Sequence, residues 1–70
     1  MDNKSKQIGL IGLGVMGKPM GKNLLKGGFS LTVYDIKPEP VAELAALGAK
    51  TASSPAEVAA KCDIIITMLP

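Results

Sequence analysis

The chain has 70 residues, of which 47% are hydrophobic, 20% charged and 3% aromatic, with a net charge of +2. This length allows at most one small core or part of a larger one, and the composition is too apolar for a disordered chain. The lysines are spread out, which argues against a nucleic-acid partner, while one cysteine and no histidine argue against a zinc site. Because no apolar run approaches the ~20 residues that span a bilayer, we expect a cytoplasmic protein without a membrane partner.

The first half of the chain predicts a strand, a helix and a second strand. Gln7 to Ile11 is a short apolar run typical of a buried strand. Apolar residues then recur every four positions from Val15 to Lys26, which predicts an amphipathic helix that ends at Gly27. Leu31 to Tyr34 is rich in β-branched and aromatic residues and predicts the second strand.

The second half repeats the alternation of helix and strand. We expect a helix from Pro40 to Leu47 and a short strand from Ala49 to Ala52. Ser54, followed by Pro55 and Glu57, forms a capping box that predicts a helix from Pro55 to Lys61. The continuous apolar run from Ile64 to Leu69 predicts a strand covered on both faces.

This order of elements predicts an α/β fold, a Rossmann-type doubly wound parallel sheet with right-handed crossovers. Only the N-terminal βαβαβαβ portion of such a sheet fits in the chain. The last strand needs cover on both faces, yet no helix follows it. We therefore expect residues 1–70 to be the N-terminal part of a dinucleotide-binding domain, with the remainder outside this chain.

A glycine motif joins the first predicted strand to the first predicted helix. Gly12 permits a tight turn, Gly14 lets the backbone approach a pyrophosphate, and Gly17 lets the helix pack closely on the sheet. The N–H groups and the positive dipole end of the helix would face the diphosphate. The candidate cofactor-binding residues here are Gly12, Leu13, Gly14, Val15, Met16 and Gly17.

An acid stands at the end of the second predicted strand. Asp35 lies 18 residues after Gly17, near the ~20-residue spacing at which a carboxylate reaches the adenosine ribose. Such a carboxylate repels a 2′-phosphate, which favours NAD, while the nearby Lys37 keeps NADP open. A solvated turn residue is the alternative for Asp35. A methyltransferase-like domain is a further alternative, against which Gly17 and the Met-Leu-Pro end of the chain argue.

Four runs of the chain resemble the β-hydroxyacid dehydrogenases: Gly12 to Gly17, Lys18-Pro19-Met20, Asn23-Leu24 and Thr67-Met68-Leu69-Pro70. That family includes 3-hydroxyisobutyrate dehydrogenase, 6-phosphogluconate dehydrogenase and tartronate semialdehyde reductase, and the resemblance is strongest to the last branch. It implies that Met68, Leu69 and Pro70 line the cofactor cleft. Hydrophobic core is the alternative for Met68.

The resemblance also implies an NAD(P)-dependent hydroxyacid dehydrogenase or reductase as the full-length protein, acting on a small hydroxyacid or semialdehyde and forming a homo-oligomer. We expect 2-hydroxy-3-oxopropionate (tartronate semialdehyde) to be reduced to glycerate. The alternatives are 3-hydroxyisobutyrate or another hydroxyacid, or a non-catalytic NAD(P)-binding reader module. The family's catalytic lysine, substrate-binding segment and helical domain lie beyond Pro70. We therefore assign no catalytic residue and expect these 70 residues alone to be inactive.

Overall fold

A computed structural model of the chain describes residues 6–13 and 17–68. Four strands and three helices alternate within these ranges: β1 (Gln7–Ile11), α1 (Gly17–Lys26), β2 (Ser30–Tyr34), α2 (Pro38–Ala46), β3 (Lys50–Thr51), α3 (Pro55–Lys61) and β4 (Ile64–Thr67). None of these described helices has the length and hydropathy needed to cross a membrane. The predicted succession of strands and helices is confirmed.

The strands form one parallel sheet in the order β3-β2-β1-β4. In this register Ile11, at the end of β1, lies opposite Tyr34 of β2 and Thr67 of β4. The chain crosses to β2 and β3 on one side of β1 and then to β4 on the other, so a topological switch point lies beside β1. Ligands bind at such points, outside the carboxyl ends of the strands.

Helices cover both faces of β1. A Cβ placed on Gly21 of α1 would lie 2.9 Å from Leu44 Cδ1 of α2 and 3.4 Å from Leu10 Cδ2. A Cβ on Gly9 would collide with Val58 Cγ1 of α3. Because consecutive strand residues face opposite sides, α1 and α2 cover one face and α3 covers the other. The sheet is doubly wound, as predicted.

An aliphatic core lies between the sheet and the α1–α2 layer. Phe29 packs at its margin. Each fully buried aliphatic side chain contributes roughly 1.5–3 kcal/mol through removal from water. The buried cluster consists of Ile8, Leu10, Leu13, Leu31, Val33, Leu44 and Ala49.

Several element boundaries differ by one or two residues from the sequence-based prediction: β2 begins earlier, and α2, β3 and β4 end earlier. The starts of α2 and β3 also differ, and both have a reason in hydrogen bonding. Helix α2 begins at Pro38 rather than Pro40, because a proline needs no acceptor in the first turn and Lys37 before it is extended. Strand β3 contains only Lys50–Thr51. It starts later than the predicted Ala49 because the Ala49 N–H donates to the Leu44 carbonyl oxygen at the end of α2, at 3.0 Å.

Strand β4 is only partly covered by the described residues. Ile64 and Ile65 are 44% and 41% exposed. Within the described residues β4 pairs with β1 and has no strand on its other side. No described element packs beyond β4, and the prediction already placed the missing cover outside residues 1–70. That further residues of the domain cover it stays a prediction.

The capping box at α3 yields a direct test of local stability. Ser54 Oγ accepts from the Glu57 N–H at 3.1 Å, and Glu57 Oε1 accepts from the Ser53 N–H at 2.7 Å. Ser54→Ala should lower the free energy of unfolding by about 0.5–2 kcal/mol because it removes the cap acceptor. Ser53→Ala keeps its N–H and should change it by less than about 0.5 kcal/mol. Urea denaturation of the natural-length protein measures both, and equal losses would contradict the assignment of the cap to Ser54.

Candidate cofactor site

The turn after β1 is held by backbone hydrogen bonds at both ends. Gly12 has a φ of 87°, a left-handed conformation that favours glycine. Its N–H donates to the Tyr34 carbonyl oxygen at 2.9 Å, and the Lys18 N–H donates to the Leu13 carbonyl oxygen at 2.6 Å. The start of α1 is thereby tied to the end of β1. The predicted site residues Gly14, Val15 and Met16 lie outside the described residues.

Gly17 lies where the turn, α1 and the end of β4 meet. A Cβ on Gly17 would collide with the Gly12 carbonyl oxygen and lie 3.7 Å from Met68 Cβ. Met68 follows β4 directly, and its N–H donates to the Ile11 carbonyl oxygen at 2.8 Å. The structure therefore brings Gly12, Gly17 and Met68 together, and Met68 also packs against the core. Leu69 and Pro70 lie outside the described residues.

Asp35 connects the glycine turn to the turn after β2. Its Oδ2 accepts from the Leu13 N–H at 2.7 Å, and its Oδ1 accepts from the Lys37 N–H at 3.0 Å. The Leu13 side chain is fully buried in the core, so only its backbone faces the site. The Asp35 carboxylate is thus anchored at the carboxyl edge of the sheet, next to the predicted diphosphate turn.

The hydrogen bond from the Leu13 N–H to Asp35 was not predicted from the sequence. The sequence predicted that both residues follow strand ends, but it did not show that one donates to the other. The register of β1 and β2 would have revealed it. Because Ile11 lies opposite Tyr34, Leu13 and Asp35, which follow them, come close together at the same edge of the sheet. Register depends on pairing across the sheet, which a single sequence does not display.

Of two open grooves on this part of the structure, one is lined by Asp35 and the other by Lys37 and residues of α1 and α2. One, of about 590 Å³, lies at the ends of β2 and β3 and includes Asp35, Ile36 and Thr51. Ile36 is 85% exposed, the most exposed large apolar side chain in the described residues. The other groove, of about 480 Å³, runs between α1 and α2. Both volumes fall in the range of small-molecule sites.

Lys18, in the first turn of α1, forms an ion pair across the second groove. Its Nζ lies 2.8 Å from Glu43 Oε2 of α2, with the two side chains 37% and 51% exposed. The Lys18 ammonium lowers the pKa of the Glu43 carboxyl, first through the hydrogen bond and then through its charge, and Lys22 adds a smaller effect of the same sign. Lys18 therefore faces α2 in this structure.

Sequence comparison assigns the chain to a family. The profile for the NAD binding domain of 6-phosphogluconate dehydrogenase matches residues 7–70. Mouse mitochondrial 3-hydroxyisobutyrate dehydrogenase is 57% identical over 63 residues, which are 90% of this chain and 19% of the mouse protein. The chain belongs to the β-hydroxyacid dehydrogenase family. Another relative is 3-sulfolactaldehyde reductase of Escherichia coli, 49% identical over 90% of this chain and 21% of that protein.

Solved structures confirm the fold of this family member. The 3-hydroxyisobutyrate dehydrogenase of Mycobacterium tuberculosis, solved with L-serine, is 38% identical with a TM-score of 0.87, over 93% of this chain and 22% of that one. The V8 variant of an imine reductase from Myxococcus stipitatus, in complex with NAD+, is 29% identical with a TM-score of 0.89, over 93% of this chain and 23% of that one. An imine reductase from Myxococcus stipitatus in complex with NADP+ is 31% identical with a TM-score of 0.84, over 87% of this chain and 21% of that one.

These comparisons confirm the oxidoreductase family, the Rossmann-type fold and the NAD-binding character predicted from the sequence. The chain spans about a fifth of the length of the curated relatives it matches. The substrate and the activity of the whole protein are therefore matters for proposal.

The ion pair between Lys18 and Glu43 predicts an acid-side titration. Because the pKa of Glu43 is lowered, the carboxylate stays ionised below its ordinary pKa of 4.5. The contribution of the pair to stability is present above the unfolded-state pKa and is lost as pH falls through the folded-state pKa. Carboxyl ¹³C NMR should show that Lys18→Gln raises the pKa of Glu43 more than Lys22→Gln does. Equal shifts in the two variants would argue against the direct pair.

The close approach of Gly17 to Gly12 predicts a loss of cofactor affinity in Gly17→Ala. The new methyl group would meet a backbone carbonyl, so the start of α1 must move away from the turn. In Gly21→Ala the methyl group meets the flexible end of Leu44, one helical turn further from the site. NADH titration by fluorescence should therefore show weaker binding in Gly17→Ala than in Gly21→Ala. Similar affinities would mean that the approach of Gly17 to Gly12 does not matter for binding.

Proposed function

We propose that the natural-length protein carrying this chain is an NAD(H)-dependent hydroxyacid dehydrogenase, and that residues 1–70 are the N-terminal part of its dinucleotide-binding domain. The observation that carries the proposal is the anchored Asp35 carboxylate beside the glycine turn, at the carboxyl edge of a parallel sheet. The bound nicotinamide supplies the hydride chemistry, and this segment binds and orients the cofactor. We propose no catalytic residue among these residues.

The diphosphate would lie against the glycine turn. The N–H groups of Gly12, Leu13 and Lys18 already donate to protein acceptors. The donors to the diphosphate should therefore come from the stretch between them, 14–17, aided by the positive end of the α1 dipole. The collision that a Cβ on Gly17 would make supports the need for a bare backbone here.

The adenosine ribose would lie against Asp35. An ionised carboxylate offers about four acceptor positions, so it can accept from ribose hydroxyls as well as from backbone N–H groups. Its negative charge disfavours a 2′-phosphate, and Ile36, where NADP-using relatives often place an arginine, adds no cation. These features support NAD over NADP. The exposed Ile36 side chain offers an apolar surface beside the ribose for the adenine ring.

The remaining cleft residues of the proposal are Met68, Leu69 and Pro70 after β4. Met68 is supported by its closeness to the glycine turn, since a Cβ placed on Gly17 would lie 3.7 Å from Met68 Cβ. A homo-oligomer and a cytoplasmic location stay predictions.

For the substrate, we propose 3-hydroxyisobutyrate and its semialdehyde. Support comes from the 57% identity to the mouse mitochondrial 3-hydroxyisobutyrate dehydrogenase. Tartronate semialdehyde, which the sequence resemblance favoured, is the competing substrate. The relatives named above carry different substrates in their names, so this pair has to be separated by assay.

The experiment follows NADH oxidation by the natural-length protein on addition of methylmalonate semialdehyde or tartronate semialdehyde, with NADPH in parallel. We expect a higher kcat/KM with NADH than with NADPH, and with methylmalonate semialdehyde than with tartronate semialdehyde. The reverse order of the two aldehydes would restore the tartronate semialdehyde assignment. Saturable NADH binding without turnover of either aldehyde would favour another hydroxyacid or the non-catalytic reader module.

A further inference from the structure

We propose that Asp35 is also a positioning residue for the glycine turn, so that one carboxylate couples recognition of the ribose to recognition of the diphosphate. The inference rests on the cofactor site proposed above. It starts from the 2.7 Å bond in which the Leu13 N–H donates to Asp35 Oδ2, between residues 22 positions apart in the chain. Hydrogen bonds to an ionised acceptor are roughly twice as strong as neutral ones.

Three separate interactions hold Leu13 in place. Its side chain is fully buried in the core. Its carbonyl oxygen accepts from the Lys18 N–H at 2.6 Å, and its N–H donates to Asp35. Since Lys18 lies in the first turn of α1, the carboxylate acts through Leu13 on both ends of the glycine turn. Asp35 itself is fixed from the other side by the Lys37 N–H, at 3.0 Å.

Loss of this acceptor should loosen the turn. A partly buried donor left without an acceptor carries a desolvation cost, so the Leu13 N–H would turn toward water or another acceptor. Glycine loses more backbone freedom than any other residue when its conformation is fixed, so holding Gly12 and Gly17 in place for a bound diphosphate has an entropic cost. Because Asp35 already holds Leu13, next to Gly12, less backbone ordering is needed when the diphosphate binds, and the affinity is higher for that reason.

Asp35 would have two roles that NADH binding alone does not distinguish: accepting hydrogen bonds from the ribose hydroxyls and positioning the glycine turn. If Asp35 only receives the ribose, its removal should harm ligands that have ribose hydroxyls and spare those that lack them. If Asp35 also orders the turn, its removal should weaken any ligand that uses the diphosphate site. A substitution intended to admit NADPH would then weaken NADH and NADPH binding together.

The probe is 2′,3′-dideoxyadenosine 5′-diphosphate, which carries adenine and a diphosphate but neither ribose hydroxyl. Its affinity is measured by calorimetry in the natural-length protein and in the variants Asp35→Ala and Asp35→Asn. Both variants remove the charge, but the asparagine carbonyl can still accept from the Leu13 N–H. We expect Asp35→Ala to bind the probe about tenfold more weakly than Asp35→Asn, the size of one lost hydrogen bond.

Asp63→Ala is the matched control. Asp63 Oδ2 accepts from the Gln7 N–H at 2.9 Å, a bond of the same kind at the opposite end of β1. Its removal should leave probe affinity unchanged. Equal probe affinity in Asp35→Ala and Asp35→Asn, with NADH binding reduced in both, would overturn the positioning role and leave Asp35 as a ribose contact alone.

A second measurement tests the hydrogen bond from Leu13 to Asp35 in the absence of any ligand. Amide hydrogen exchange of Leu13 should be slow in the wild type and in Asp35→Asn, and fast in Asp35→Ala. Equally slow exchange in all three proteins would overturn the positioning role even if the probe binds too weakly to measure. Failure of the proposed function looks different: the wild type would then bind neither NADH nor the probe, while Leu13 exchange would still depend on residue 35.

Discussion

The parallel register of β1 between β2 and β4 is the constraint on which the rest of the structure depends. It places the ends of β1, β2 and β4 at one edge, because Ile11 lies opposite both Tyr34 and Thr67. Each residue proposed for the site follows one of those three ends. A one-residue slip of β2 would turn its buried side chains to the opposite face and displace Asp35 from the glycine turn. The buried core and the candidate site are therefore set by the same pairing.

At that edge Asp35 joins two turns of the chain, which a solvated turn residue would not do. It receives backbone N–H groups from the turn after β1 and from the turn after β2. A carboxylate fixed in this way is ready to accept from a ribose, and it also restrains the segment that would carry the diphosphate. In our proposal, the preference for NAD and the positioning of Leu13 in the glycine turn depend on this one side chain, and substitutions at this position should change both.

Much of this arrangement could be predicted from the sequence because its signals are local. The glycine motif, the capping box at Ser54 and the alternation of apolar runs report on neighbouring residues, and α3 has the predicted bounds. What could not be predicted depends on distant residues: the hydrogen bond from the Leu13 N–H to Asp35 and the ion pair of Lys18 with Glu43. Two prolines close together also left the start of α2 ambiguous, because either is acceptable in a first turn.

The most direct test of the central claim is a crystal structure of the natural-length protein with NADH. The diphosphate should lie against the glycine turn, and Asp35 should contact the adenosine ribose while it still accepts from the Leu13 N–H. A diphosphate bound elsewhere would contradict the cofactor site. A complex in which Asp35 has left Leu13 to reach the ribose would contradict the coupling of ribose and diphosphate recognition through this carboxylate.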